Sequence, residues 1–315
     1  MAHSHQSPHK IGIAFGSGGA RGWAHLGVLR RLEESGISAH CVAGTSAGAI
    51  AAALYASDNL ATMEDLATHL DWKQVAQLFL EVNFPRSGLL TGKNVMRLLK
   101  SVIGVRAISS LRVPFAAIAT DLETEKEVVF QSGNLYEAIR ASIGIPGIFT
   151  TTRINGRHLV DGGLVNPLPV SVCRAMGADF VIAVDVNLRA SSEKPKNEKK
   201  IKLPAPSPRI SKLIGSLGKI IPQRPARAAN MAYRWANTKK EADDLSIFDV
   251  LTRSFRLVEN QITRRELALN PPDLLIQPAV GDIMTLEFHR GPEAISAGRA
   301  AVDEILPLLQ PLIRI

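Results

Sequence analysis

Ser46 is the residue whose surroundings in this 315-residue chain most suggest covalent chemistry. It is the centre of Gly44-Thr45-Ser46-Ala47-Gly48, a G-x-S-x-G where an apolar strand, residues 37–43, meets a small-residue helix, residues 49–56. A tight strand-to-helix turn lifts a serine oxygen clear of the sheet, and the two flanking glycines leave room for the backbone. The helix start behind it favours negative charge as that charge develops. The bare motif also fits a structural turn of small residues; the strand-turn-helix setting favours a nucleophile.

A serine hydroxyl is a weak nucleophile and needs a base. The candidates are His25, His40, His69, His158, His289 and the carboxylates. Asp161 stands out because it follows an apolar strand end and precedes Gly162-Gly163, where the chain can turn sharply with the carboxylate at the sheet edge. On its own, Asp-Gly-Gly is usually only a turn. His289 is the only histidine after Asp161, so it alone could complete a Ser–Asp–His order, but Glu287–Gly291 reads as a polar surface turn.

A third element is the glycine-rich turn Gly16-Ser17-Gly18-Gly19-Ala20-Arg21-Gly22. Its backbone N–H groups can point at an anion. For acyl transfer such a loop is an oxyanion hole, and each donor contributes about 3–4 kcal/mol. A dinucleotide fingerprint is the rival reading. It requires a third glycine where Arg21 stands and an acid at the end of the second strand, which instead reads Ala43-Gly44-Thr45-Ser46. There is no G-K-[ST] for a phosphate loop.

The elements that must position these residues follow from hydrophobic spacing. Residues 11–15 read as a buried strand, and 24–32 as a helix ending near Gly36. With the second strand and its helix, this gives β-turn-α twice, the pattern of a parallel sheet covered by helices. Helices are expected over 64–82, 92–102 and 136–143, with a loop at 87–91. Strands are expected at 114–120 and 126–130, the second beside the first, and one at 180–186, apolar except for Asp185, suits a sheet centre. Residues 245–269 read as an amphipathic helix, 273–277 as a strand and 292–309 as a last helix.

The three motifs together resemble the patatin-like phospholipase family, whose order is G-G-G-x-[KR]-G, G-x-S-x-G and D-G-[GA]. Here these are Ser17 to Gly22, Gly44 to Gly48, and Asp161 to Gly163. Ala141-Ser142 through Pro146-Gly147-Ile148-Phe149 and Asn166-Pro167 are similar as well. The likeness covers residues 11–188, and more weakly Phe288 and residues 295–298, which resemble the bacterial branch. Ser17 departs from the pattern, since the family usually has glycine there.

The resemblance implies an α/β, three-layer fold with a mostly parallel central sheet. It implies a Ser–Asp dyad without a catalytic histidine, acting on phospholipid, lysophospholipid or related ester substrates and needing no cofactor or metal. Ser46 would attack the carbonyl and Asp161 would take its proton. Gly18, Gly19 and Ala20 would form the oxyanion hole, with Gly22, Gly44, Gly48, Gly162 and Gly163 in support. Arg21 would add positive charge near the hole or form a surface salt bridge. A lipid-binding protein that keeps the fold without catalysis, and a nicotinamide-dependent oxidoreductase, are the competing classes.

Composition agrees with a globular enzyme: 46% hydrophobic and 21% charged. Two cysteines, Cys41 and Cys173, sit in apolar runs and read as buried free thiols of a reducing compartment. The first ten residues, MAHSHQSPHK, lack a signal-peptide core, and the small-residue run at 42–56 is unsuited to spanning a bilayer. A cytoplasmic protein, peripherally associated with membranes, is expected.

The net charge of +8 is uneven: residues 189–240 carry 14 Lys/Arg against Glu193 and Glu198, leaving the rest of the chain net negative. Organisation is therefore expected as a catalytic core at 11–188, a basic proline-rich insertion or lid at 189–244, and 245–315 completing the same domain. The insertion could dock on an anionic membrane surface, where each cation adds about 1 kcal/mol, or be a solvated lid. No nucleic-acid motif accompanies the charge.

Overall fold

Along β1 (Ile11–Phe15), alternate residues serve different cores: Ile11, Ile13 and Phe15 join one buried cluster and Ala14 another. β2 (Cys41–Thr45) repeats this, with Val42 on the first side and Cys41 and Ala43 on the second. β7 (Phe180–Val184) does the same, with Phe180, Ile182 and Val184 against Val181 and Ala183. Strands buried on both faces must be all-apolar, which is how they read. The computed structural model of the chain describes residues 9–71, 74–75, 90–187 and 247–313.

Neighbouring strands run β5-β6-β3-β2-β1-β7-β8, with β4 also paired to β3. β3 (Phe115–Asp121), β2, β1, β7 and β8 (Leu274–Ile276) are mutually parallel. β4 (Lys126–Phe130), β5 (Thr152–Ile154) and β6 (Arg157–Asp161) join by antiparallel pairings. Among the described residues, six helices pack on one face: α1 (Trp23–Glu34), α2 (Ala47–Ala56), α3 (Leu60–His69), α4 (Lys93–Ile103), α5 (Leu135–Ser142) and α8 (Gly291–Ile313). The other face holds α6 (Val170–Ala175) and Leu267 from α7 (Ile247–Leu269). This is the expected three-layer α/β architecture.

One detail of register builds the site. β4 pairs with Ala117 to Asp121 of β3. β2 pairs with Phe115 to Ile118, and β6 with Ala119 to Asp121. A strand has two edges, so β4 occupies one and β2 and β6 lie end to end along the other. Thr45 is opposite Ile118 and Asp161 opposite the next residue, Ala119. Ser46 and Asp161 therefore abut.

Several elements differ from expectation. β2 begins at Cys41 rather than residue 37, because the His40 N–H reaches the Ile11 carbonyl and pairing starts only there. The helix expected at 64–82 is α3, which starts at Leu60 and ends at His69; residues 72–73 and 76–82 lie outside the described residues. The loop expected at 87–91 lies outside up to 89, and Leu90 forms a bridge to Phe149. The insertion at 189–244 also lies outside them. α7 is a helix as expected, but its burial is inverted: Leu257 is 62% exposed while Thr252, Glu259 and Thr263 are buried. Spacing of 7 and 4 residues puts those three on one face, and Thr252 and Glu259 from it lie beside Ser46.

Candidate active site

Ser46 has φ 57° and ψ −120°, a left-handed conformation that non-glycine residues rarely hold. Its neighbours enforce this. A side chain at Gly44 would collide with the Gly48 carbonyl, and one at Gly48 with the Phe15 carbonyl at the end of β1. The Ser46 N–H donates to Ser142 Oγ at 2.8 Å. The Ser46 hydroxyl then donates to Asp161 Oδ2 at 2.6 Å, and both residues are buried.

Asp161 is fixed from behind. Gly163 N–H donates to Oδ1 at 2.9 Å, and the Thr120 hydroxyl donates to the Asp161 carbonyl at 2.7 Å. Gly162 packs so closely on the Ile118 carbonyl that it excludes a side chain. Burial raises the Asp161 carboxyl to about 7; the bonds from Ser46 and Gly163 lower it but do not win. A general base near 7 suits proton transfer at neutral pH.

The glycine-rich loop lies beside this pair. Gly18, Gly19, Arg21, Ser46, Ile145, Thr252, Phe255, Glu259 and Thr285 enclose a cavity of ≈ 10 Å³, about the size of one water. Among the described hydrogen bonds, neither the Gly18 nor the Gly19 N–H has a partner. Ala20 does not fit the expected oxyanion role, because its N–H is taken by the Thr285 carbonyl at 2.9 Å. Arg21 is not a surface residue either. It is 1% exposed, donates to Asn187 Oδ1 from Nε (3.1 Å) and Nη2 (2.8 Å), and donates from Nη1 to the Ile283 carbonyl (2.8 Å). Burial lowers Arg21 to about 10, so it stays cationic at neutral pH. Gly22 sits against Ala47, which locks the loop to the start of α2.

Asn166 and Pro167 tie these pieces together: the Asn166 carbonyl accepts from the Thr45 hydroxyl at 2.7 Å, and the Pro167 carbonyl accepts from Ser17 N–H at 2.9 Å. Ser17, the departure from the family pattern, is buried; its carbonyl and hydroxyl accept from Asn187 Nδ2 at 3.0 and 3.2 Å. His289 is exposed in a 3-10 turn, in line with the surface reading of Glu287–Gly291, and His25 is a buried neutral residue bonded to the Gly16 carbonyl at 2.8 Å. Cys41 and Cys173 are buried free thiols. Among the described residues no group of three His, Cys, Asp or Glu could hold a metal.

A second cavity of ≈ 100 Å³ opens beside Ser46, with almost wholly apolar walls that include Trp23, Ile50, Met63, Leu98, Ile145 and Phe149. Asn187 and Glu259 carry no signal of their own in the sequence. Asn187 follows an all-apolar strand, and Glu259 sits among Arg253, Arg256, Arg264, Arg265 and Glu266, where a solvated charge is the natural reading.

Comparison with known proteins then decides the family. The patatin-like phospholipase family model matches residues 13–174. The chain belongs to the patatin-like phospholipase family. That places it among enzymes that hydrolyse lipids. An uncharacterized NTE family protein of Mycobacterium bovis is 31% identical over 95% of this chain and 92% of its own length. Patatin-like phospholipase domain-containing protein 6 of Homo sapiens is 34% identical over 56% of this chain, which is 13% of that much longer protein. Among solved structures, VipD from Legionella pneumophila aligns with TM-score 0.47 and 14% identity, over 96% of this chain and 67% of its own. The patatin-like match spans all three motifs, from the glycine-rich loop to Asp161. No helix among the described residues is long and apolar enough to cross a membrane.

Proposed function

We propose that the protein is a serine lipid acyl hydrolase working through a Ser46–Asp161 dyad. The observation that carries this is one serine with two surroundings: its hydroxyl is 2.6 Å from a buried carboxylate, and its other side faces an apolar cavity. A hydrocarbon chain fits such a wall, and its ester carbonyl would then lie at Ser46. Asp161 takes the hydroxyl proton as Ser46 Oγ bonds to the carbonyl carbon. The oxyanion sits at the Gly18 and Gly19 N–H groups. As the tetrahedral intermediate collapses, the alcohol leaves with the proton from Asp161. Asp161 then deprotonates a water as it attacks the acyl-enzyme. When this second tetrahedral intermediate collapses, Asp161 returns that proton to Ser46 Oγ, releasing the fatty acid and restoring the free serine.

The test is fatty-acid release from phosphatidylcholine and lysophosphatidylcholine micelles. Activity is expected in the wild type and in His289→Ala, and loss in Ser46→Ala. Loss in His289→Ala with the fold intact would replace the dyad by a triad. If the apolar cavity holds the acyl chain, filling it should shorten the preferred substrate. In Ile50→Trp the ratio of long-chain to acetyl ester turnover is expected to fall at least about tenfold. An unchanged ratio would place the acyl chain elsewhere. Docking on anionic membranes through the basic residues 189–240 remains part of this reading. It predicts reduced co-sedimentation with anionic vesicles when they are deleted.

A further inference from the structure

Glu259 is a buried carboxylate beside Ser46, among the described residues, that the proposed chemistry does not use. It is 4% exposed, on α7, and reaches the site from a helix far along the chain. Its Oε1 lies so close to Gly163 that any side chain there would strike it, and that same Cβ position would be 3.2 Å from Asp161 Oδ1. Glu259 also lines the water-sized cavity with Ser46, Gly18 and Gly19.

We propose that Glu259 is a second proton-holding group of this site, which faces Asp161 across Gly163 and keeps its proton while Asp161 gives its own up. This rests on the dyad reading. Glu259 acts through Asp161 and the glycine loop, so it is a positioning residue.

The groups around it set the order of ionisation. Asp161 and Asp185 disfavour its charged form; the Ser17 hydroxyl, which donates to it, and Arg21 favour the charged form. Asn187 Nδ2 approaches Oε2 at 3.5 Å, and Arg256 lies one turn back on α7. Burial is the largest influence and Asp161 the second, raising Glu259 to about 8. Asp161 gives up its proton first because its carboxylate accepts from Ser46 at 2.6 Å and from Gly163 at 2.9 Å, while Asn187 approaches Glu259 only at 3.5 Å. Two carboxylates this close do not ionise together easily, so their protons leave in sequence. Between the two steps, Asp161 is a charged base and Glu259 a neutral neighbour. Above the second step, Glu259 carries a negative charge beside the place where the oxyanion forms, which opposes it.

The wild-type kcat is therefore expected to rise through pH about 7 and to fall above about 8. Glu259→Gln keeps the shape, cannot ionise, and should lose the alkaline fall while keeping the acid rise. Ser17→Ala removes a donor that favours the charged form, so the fall should move to higher pH. A purely structural Glu259 would lower kcat at every pH and move neither limb. A readout free of turnover is the ¹³C carboxyl signal of Glu259, assigned by its disappearance in Glu259→Gln. It should titrate near 8 in the wild type and at lower pH in Asp161→Asn. No turnover in any variant, with this coupled titration present, would sink the hydrolase reading and leave the proton coupling standing. Turnover with no alkaline fall, a fall that persists in Glu259→Gln, or a carboxyl titrating in the ordinary range would each overturn the inference.

Discussion

Asp161→Asn is expected to lose about 10³ to 10⁴-fold in kcat and yet melt at a higher temperature than the wild type above pH 7. The first effect follows from the bond of Ser46 Oγ to Asp161 Oδ2 at 2.6 Å. Asparagine keeps an acceptor for the Gly163 N–H but cannot take a proton, and a positioned base contributes about this much. The second effect follows from burial, which raises the carboxyl from 3.8 to about 7 in the folded protein. Between those values the folded chain holds a proton that the unfolded chain has released, so stability falls as pH rises. The loss is complete above about 7 and amounts to at most about 4 kcal/mol. Asparagine does not titrate, so the two melting curves should diverge from pH 4 until both Asp161 and Glu259 of the wild type have ionised, above about 8, and run parallel beyond. Melting temperatures that stay parallel from pH 4 to 9 would mean Asp161 is not held in a desolvated pocket. A site that is costly to fold and needed for chemistry is the usual trade between stability and activity.

The second large effect concerns Gly48, which can be mistaken for a passive spacer. Its missing side chain lets the start of α2 rest on the carbonyls of Phe15 and Gly16, at the end of the central strand β1. Neither partner can move, because Gly16 N–H is bonded to the Val184 carbonyl at 2.9 Å and Phe15 is fully buried. Gly48→Ala is therefore expected to destabilise by about 3 kcal/mol, a large part of the stability of a typical domain. Urea unfolding would read this. A midpoint equal to the wild type would mean the turn can open, and the strained φ of Ser46 would lose its explanation.

These two residues mark how far the sequence could be read. The central strands were legible because burial on both faces forces unbroken apolar runs such as Phe180–Val184. The three motifs were legible because, each weak alone, they stand together in the order and spacing of a known pattern. What the sequence could not supply is register. That β2 and β6 share one edge of β3, bringing residues 46 and 161 together, depends on long-range pairing that no local pattern encodes. The same holds for Ala20 and Arg21. The motif places both in the glycine loop, but only tertiary contacts show that Thr285 takes the Ala20 N–H and Asn187 holds the Arg21 guanidinium. Glu259 was hidden for a different reason. Hydrophobic periodicity assumes the apolar face of a helix is the buried one, and α7 buries Thr252, Glu259 and Thr263 instead.

The most direct test of the central claim is labelling by an alkyl fluorophosphonate followed by peptide mass mapping. One adduct on the peptide containing Ser46 is expected in the wild type, none in Ser46→Ala, and a far slower adduct in Asp161→Asn. An unlabelled wild type, an adduct on a different serine, or labelling that survives in Ser46→Ala would contradict the assignment of Ser46 as the nucleophile.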